Sequence, residues 1–512
     1  MSATTRPGAA PALTLAPTLL VALAVTHYAW VRATNLRLAN HDIGWFLHAG
    51  AVWLDGGTIG IDVIDTNPPL VIWLSGLEVQ LARWLALHPF VVHAGVSCAL
   101  VLGCVLLGGG GLLRAGVPRL AVSVFRPLVL ASSVFVAEYH FGQRDQWIAV
   151  LLLPYVSWAF AREERGAGVR AVRLVAGACA GVAVCLKPHY AGALGAVELL
   201  RLLRSRSLRS LVRMETVAGA AVALLYGASL PLLAPLYIDD LRAALGVYHA
   251  YDKDVPWWSP HTRWLLVALA AAVAAWLPSR ERVVPLALAL VAACGWIVAL
   301  VQQKNFLYHH IPTDWFAQAT LALLLAIALV PWLERRPALA AGASLALALA
   351  LAAGVEILLI RSTGFDGRQQ QRALLERYAE GEAVLVLSTG VNRFFPTINF
   401  SKARSVSPYS CLWPIPGNYS PAERTAPRFR YRSLQEMAPI EKRLVTRVVE
   451  VLARERPRLL GFDVASTKLG FGRTAFQLQA YFSAHPGFAG LMRRYERVAV
   501  EDGFEYYRRR DE

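Results

Sequence analysis

The chain has 512 residues, 56% of them hydrophobic and only 17% charged, too apolar a balance for a soluble protein of this length. Its formal charge of +16 raises the question of nucleic acid, but the arginines gather in knots between apolar runs. The positive-inside rule places them there, so the charge reports membrane topology and speaks against a nucleic-acid partner.

Leu13 to Ala33 form the first predicted span, preceded by a single Arg6 and followed by no clean cleavage site, which reads as a retained anchor. A polar segment of about fifty residues follows, too long for a mere connector. It holds Asn40-His41-Asp42-Ile43-Gly44-Trp45-Phe46 with His48, then Asp62, Asp65 and Asn67-Pro68-Pro69. Asn67 is the expected N-cap of a helix with Pro68 at its first position. In that helix Leu74, Leu77, Leu81 and Leu85 share one face, while Ser75, Glu78 and Arg83 interrupt the rest. The pattern predicts a helix lying in the membrane interface rather than crossing it.

Ten more spans are expected near 89–113, 120–138, 146–161, 172–188, 189–203, 215–237, 263–278, 285–301, 314–333 and 338–360, eleven in all. With the N-terminus inside, five basic knots fall in the cytoplasm: Arg114/Arg119, Arg162/Arg165/Arg170/Arg173, Arg201/Arg204/Arg206/Arg209/Arg213, Arg280/Arg282 and Arg335/Arg336. From residue 366 the composition turns soluble-like. Strands are expected at Ala383–Leu387 and Arg458–Phe462, a helix from Ser433 to Arg454, and a hairpin turning at Glu501-Asp502-Gly503. The predicted fold is a polytopic α-helical membrane protein of about eleven transmembrane helices, residues 1–365, with a C-terminal extracytoplasmic α/β domain, residues 366–512. Five of the six cysteines lie in apolar runs and only Cys411 in a polar region, so neither a disulfide framework nor a zinc site is expected.

The chemistry-bearing residues collect in the outer loops. Asp42 is one candidate, set among interfacial aromatics; otherwise it is a solvated loop carboxylate. Glu138-Tyr139-His140-Phe141-Gly142-Gln143-Arg144-Asp145-Gln146 is the second, because ionisable residues are rarely kept at span ends without use. Its plainer alternative is an Arg144–Asp145 or Glu138–Arg144 ion pair fixing the turn. Lys187-Pro188-His189-Tyr190, a tight turn between spans, offers a lysine able to grip phosphate, or one merely snorkelling. Gln302 to Pro312 contains Lys304, Tyr308, His309 and His310; adjacent histidines do not share a helix face, so donors to an anionic head group are expected rather than metal ligands. The 237–262 loop adds Asp239, Asp240, Tyr251, Asp252, Lys253, Asp254, Trp257 and Trp258, the tryptophans serving as interfacial belt or as a sugar platform.

A carboxylate, several cations and aromatic faces on one side of an apolar bundle suit group transfer from a lipid-linked sugar phosphate. The cations stabilise the phosphate as its charge develops, and an aspartate takes the acceptor's proton. No phosphate-cradling glycine loop is present, so no nucleotide or other cofactor is expected, and no divalent metal is indicated.

His41-Asp42-Ile43-Gly44-Trp45-Phe46, Asn67-Pro68-Pro69-Leu70 and Lys304…Tyr308-His309…Pro312 resemble the GT-C superfamily of integral-membrane glycosyltransferases, which includes protein O-mannosyltransferases and lipid A aminoarabinose transferases. The resemblance covers about residues 13–330. It implies an inverting transfer from a polyprenyl-phosphate sugar to a glycan, lipid or protein acceptor of the cell envelope, in a bacterial inner membrane. Asp42 then matches the first-loop base, with Asp145 as a second catalytic carboxylate. Arg144, Lys187, Lys304, Tyr308 and His309 would meet the donor phosphate, and His41, Trp45, Glu138, His189 and Trp257 the substrates. The family's acidic pair is here His41-Asp42, which leaves the second carboxylate open. The competing readings are a transporter or flippase of lipid-linked saccharides, disfavoured by the apolar span interiors, and a polysaccharide polymerase or ligase.

Overall fold

The computed structural model describes residues 10–162, 166–251, 253–277 and 283–511. Arg6, Arg165, Asp252, Arg280 and Arg282, named above, lie outside the described residues. The chain divides into two compact units that interleave in sequence. One comprises Met1–Arg32, Val91–Ala228 and Lys253–Ser362; the other comprises Ala33–Phe90, Ser229–Asp252 and Thr363–Glu512.

In chain order the helices are α1 (Ala10–Thr34), α2 (His41–Leu54), α3 (Leu70–Leu85), α4 (Pro89–Arg114), α5 (Arg119–Phe135), α6 (Arg144–Trp158), α7 (Ala167–Leu186), α8 (Ala191–Ser205), α9 (Met214–Leu233), α10 (Tyr237–Leu245), α11 (Pro260–Trp276), α12 (Val283–Gln302), α13 (Ile311–Glu334) and α14 (Pro337–Arg361). Each of the eleven expected spans has a helix. Seven are long and apolar enough to cross a membrane by length and composition: those at α1, α4, α7, α9, α12, α13 and α14. The helices α5, α6, α8 and α11 have 15 to 17 residues. At 1.5 Å per residue they reach only about 22–26 Å, less than the roughly 30 Å hydrocarbon core.

Within the first unit α6 packs along α7, α13 packs against α5, α11 and α12, and α8 lies on α12. Almost every side chain of α6 is buried, from Asp145 through Trp158. A helix enclosed on all sides needs no lipid-facing stripe, which accounts for its run of Leu and Val with no periodicity.

The second unit is built on a five-stranded sheet. Its strands are β1 (Ala383–Leu387), β2 (Arg404–Ser405), β3 (Leu459–Asp463), β6 (Tyr495–Glu501) and β7 (Phe504–Arg509), in the order β2-β1-β3-β7-β6; β4 (Thr467–Lys468) and β5 (Gly472–Arg473) form a separate pair. β1 runs parallel to β2 and β3, and β7 is antiparallel to β3 and β6. The predicted hairpin turns at Asp502 and Gly503, both at positive φ. The helices are α15 (Gly367–Ala379), α16 (Thr397–Phe400), α17 (Pro421–Thr425), α18 (Pro439–Glu455), α19 (Leu478–Phe482) and α20 (Pro486–Met492). α18 starts at Pro439 rather than Ser433, since proline suits a first helical turn. It buries Leu444, Val445, Val448, Val449 and Leu452 in the core, each burial contributing about 1.5–3 kcal/mol.

The expected boundary at 365/366 does not describe how this unit is assembled. Ile64 belongs to the same core, and its N–H donates to Pro408 O at 2.7 Å. Asn399 Nδ2 donates to Gly44 O at 2.9 Å, Arg368 Nη1 to Ala39 O at 2.8 Å, and Arg443 pairs with Asp240 at 2.6 Å. The first long loop and the segment around α10 are thus integral parts of the sheet unit. α2 and α3 meet closely enough that a Cβ on Gly50 would lie 2.4 Å from Gly76 N, so only glycine serves there. α3 turns Val71, Ile72, Glu78, Val79 and Ala82 inward and leaves Leu77, Leu81, Trp84 and Leu85 exposed. Asn67 is not its cap: the helix begins at Leu70 after Pro69, and the Asn67 side chain donates to Asp65 instead.

Candidate active site

In the first unit the polar residues at the start of α6 are set by the turn before it. Gly142 has φ +85°, and a Cβ there would lie 2.9 Å from His93 Nε2 and 3.1 Å from Ser97 Oγ. Only glycine meets both conditions. The turn is locked from both sides: Gly142 N donates to Gln146 Oε1 at 2.6 Å, and Gln146 Nε2 donates to Ser133 O at 2.7 Å. His93 Nε2 lies 3.1 Å from Gly142 O, and Trp147 stacks on His93 while donating to Ser97 Oγ at 3.0 Å. This frame fixes Asp145, whose side chain is 1% exposed.

α7 stops at Leu186 because Pro188 disfavours a helical residue before it, and Lys187 is accordingly extended (φ −156°, ψ 96°). Its buried ammonium donates to Asp145 Oδ1 at 2.7 Å. Arg144 Nη2 lies 3.7 Å from Asp145 Oδ2. The plainer Arg144–Asp145 pair anticipated from sequence is therefore present, inside a larger cluster. Tyr190 and His309 are buried within electrostatic reach of Asp145. Asp145 Oδ2, Tyr190 Oη and His309 Nδ1 are all buried without a hydrogen-bond partner among the described residues. An oxygen of the Asp145 carboxylate and two neutral polar atoms near it thus mark a polar site, since leaving each one unmatched costs about 1–3 kcal/mol.

Aromatic rings surround it. Tyr308 meets His309 edge-on at 4.5 Å and His140 at 5.4 Å, and stacks on Phe306 at 5.6 Å. Lys253 Nζ sits 4.6 Å from the Phe306 ring centroid. Gln303 and Asn305 adopt positive φ, and Lys304 between them is buried. Lys253 N donates to Gln303 O at 2.7 Å, tying this turn to the 253–254 loop. The adjacent histidines diverge: His309 faces the Asp145 side, while His310 stacks on His261 at 4.0 Å, and His261 Nδ1 lies 2.6 Å from Asp314 Oδ2. Glu138 and His189 are exposed, as are Trp257 and Trp258, whose rings are 5.8 Å apart.

In the second unit Asp42 occupies the first turn of α2. Asn40 caps that helix, accepting from Asp42 N at 2.9 Å and Ile43 N at 3.3 Å. His41 Nε2 lies 3.6 Å from Asp42 Oδ1. Burial holds the His41 imidazole below its ordinary value against the pull of Asp42, so it is uncharged at neutral pH. Trp45 is buried; its indole donates to Asp65 Oδ2 at 2.5 Å and its ring meets Phe395 edge-on. Burial pushes the neighbouring His48 down to about 4.

No protein-family model and no curated protein sequence matches the chain. Solved structures do. ArnT from Cupriavidus metallidurans is similar over 96% of this chain and 97% of its own, at 14% identity, with TM-scores of 0.56 in the apo state and 0.55 bound to undecaprenyl phosphate. The arabinofuranosyltransferase AftD from Mycobacteria aligns with 97% of this chain and 40% of its own at 13% identity and a TM-score of 0.46.

The fold is that of ArnT.

On this ArnT-like framework the Asp145 cluster has a definite electrostatic character. Arg144 and Lys187 against Asp145 leave one unit of positive charge. An ammonium carries three donors, and one bond to Asp145 leaves it oriented with capacity to spare. Such a group can hold an anion and meet charge that develops on it. Among the described residues no group of three or more His, Cys, Asp and Glu is placed to hold a metal ion. Two contributors escaped the sequence reading. Arg32, in the last turn of α1, is buried, donates to Tyr139 O at 3.3 Å and lies over the Tyr28 and Tyr139 rings; its signal was a cation inside an otherwise apolar run. His93 carried no comparable signal.

Proposed function

We propose that the chain is a membrane glycosyltransferase that moves a sugar from a polyprenyl-phosphate donor to an acceptor hydroxyl outside the cytoplasm, with inversion at the anomeric carbon. The observation that carries this reading is the Arg144–Asp145–Lys187 cluster, in which two cations flank one buried carboxylate beside polar atoms unmatched among the described residues. The likeness to ArnT, solved with undecaprenyl phosphate, supports the donor class.

In the proposed reaction the Asp42 carboxylate takes the acceptor proton as the acceptor oxygen attacks the anomeric carbon. The bond from that carbon to the phosphate oxygen breaks, and its electron pair stays on the polyprenyl phosphate. Lys187 and Arg144 meet the growing phosphate charge, an interaction strongest in the transition state. Asp145 acts as a positioning residue for Lys187. Lys304, Tyr308 and His309 complete the donor contacts, and His41, Trp45, Glu138, His189 and Trp257 shape the substrate surroundings, Trp45 through its hold on Asp65. The N-terminus is assigned to the cytoplasm and the sheet unit to the opposite side of a bacterial inner membrane.

The test is sugar transfer by the purified protein in proteoliposomes supplied with a polyprenyl-phosphate sugar. Asp42→Asn is expected to lose about a hundred- to ten-thousandfold in turnover, the usual worth of a general base, while still retaining the lipid phosphate. Unchanged turnover would remove Asp42 from the mechanism.

A further inference from the structure

The helices that carry Asp145 and Lys187 at one end carry a second polar site at the other. α12 has 20 residues, about 30 Å of helix; Lys304 follows its last turn and Val283 begins its first. Around that first turn lies a cavity of about 290 Å³, lined by Ala115, Phe160, Arg201, Arg204, Ser205 and Val283. Behind it is a charged network. Arg173 Nη1 pairs with Glu215 Oε1 at 2.9 Å, Arg213 binds Glu198 and lies 3.5 Å from Glu215 Oε1, and Tyr155 Oη donates to Glu198 at 2.7 Å. Arg201 stands within electrostatic reach of Arg213, Glu198 and Glu215. Among the described residues three guanidinium groups therefore face two carboxylates, and Arg204 also lines the cavity wall. The Arg201 Nε is buried without a hydrogen-bond partner among the described residues.

An excess of guanidinium groups over carboxylates among the described residues, with one unmatched donor, calls for an oxyanion. Phosphate answers best, because the planar guanidinium fork matches its oxygens with paired donors. On the same helix as Arg201 and Arg204, Leu199 and Leu203 are exposed at 55% and 66%. Apolar positions beside an arginine-lined pocket give acyl chains a path along α8. Basic pockets between membrane helices hold anionic head groups in this way.

We propose that this cavity is a binding site for a phosphate group, carried by an anionic lipid or supplied as free phosphate, distinct from the cluster around Lys187 and independent of the transferase reading. Native mass spectrometry of the purified full-length protein, titrated separately with phosphatidylglycerol, phosphatidylcholine and inorganic phosphate, tests it. The wild type is expected to retain phosphatidylglycerol at least tenfold better than phosphatidylcholine, and R201Q/R204Q to lose that preference. Ala115→Leu fills the cavity while leaving every charge in place; it is expected to reduce retention as well, which separates loss of the site from loss of fold. Inorganic phosphate binding that depends on Arg201 and Arg204, without phosphatidylglycerol preference, supports the site and assigns it the soluble source. Equal retention of the two lipids with no phosphate binding, or binding unchanged in both variants, overturns the proposal.

Discussion

Replacing Lys187 with methionine removes the ammonium but keeps the length of the side chain. Asp145, 1% exposed, is then left with Arg144 at 3.7 Å as its charged neighbour. Removing one partner of a buried pair costs about 3–5 kcal/mol, because the remaining charge stays desolvated. Lys187→Met should therefore lower the thermal stability of the detergent-solubilised protein markedly. Adding Asp145→Asn removes the stranded charge with an isosteric amide, so the double variant should recover most of the loss, with a coupling energy of about 2–3 kcal/mol. Donor retention should behave differently. It should fall in Lys187→Met by about 10- to 150-fold, the worth of one charge-assisted hydrogen bond, and stay low in the double variant, which still lacks the ammonium. Unfolding curves and undecaprenyl phosphate retention, measured on all four proteins, separate the two effects. Additive stability losses would refute the ion-pair argument, and restored retention in the double variant would refute the donor role of Lys187.

Two further changes test the framework around the sites. Gly142→Ala places a Cβ 2.9 Å from His93 Nε2 at φ +85°; it should cost about 1–3 kcal/mol in strain and loosen lipid phosphate retention by displacing Asp145, and a neutral result in both assays would show that the turn has slack. His48 titrates near 4 in the folded protein and near 6.5 when unfolded. The unfolded chain thus binds more protons between those values, and stability should fall by up to about 3 kcal/mol as pH drops from 6.5 towards 4. His48→Phe should flatten that slope, and parallel pH–stability curves for the two proteins would contradict the assignment.

The membrane helices were legible because the bilayer imposes length and apolarity directly on the sequence; a helix stands at each expected span, and seven of these are long and apolar enough to cross. The polar segments at Glu138–Gln146 and Lys187–Tyr190 stood out for the same reason, as ionisable residues at the ends of apolar runs. Their pairing did not: Asp145 and Lys187 are 42 positions apart, and nothing local announces that α6 and α7 present them to each other. His93, Ser97 and Ser133, which hold the Gly142 turn, sit inside apolar runs where small polar residues are unremarked. Asn67 has the composition of a cap, but its donation to Asp65 left the helix to begin later. Assembly of the sheet unit was the least readable feature. Ile64 and Gly44 join it through tertiary hydrogen bonds to Pro408 and Asn399, contacts across more than 300 positions that no periodicity encodes.

The central claim, that the Lys187 cluster holds the phosphate of a lipid-linked sugar, is met most directly by mass spectrometry of the lipids that co-purify with the protein. Wild type should carry a polyprenyl phosphate or its sugar ester, and Lys187→Met prepared in parallel should carry little or none. Preparations free of polyprenyl phosphate, or equal amounts in the two proteins, would contradict it.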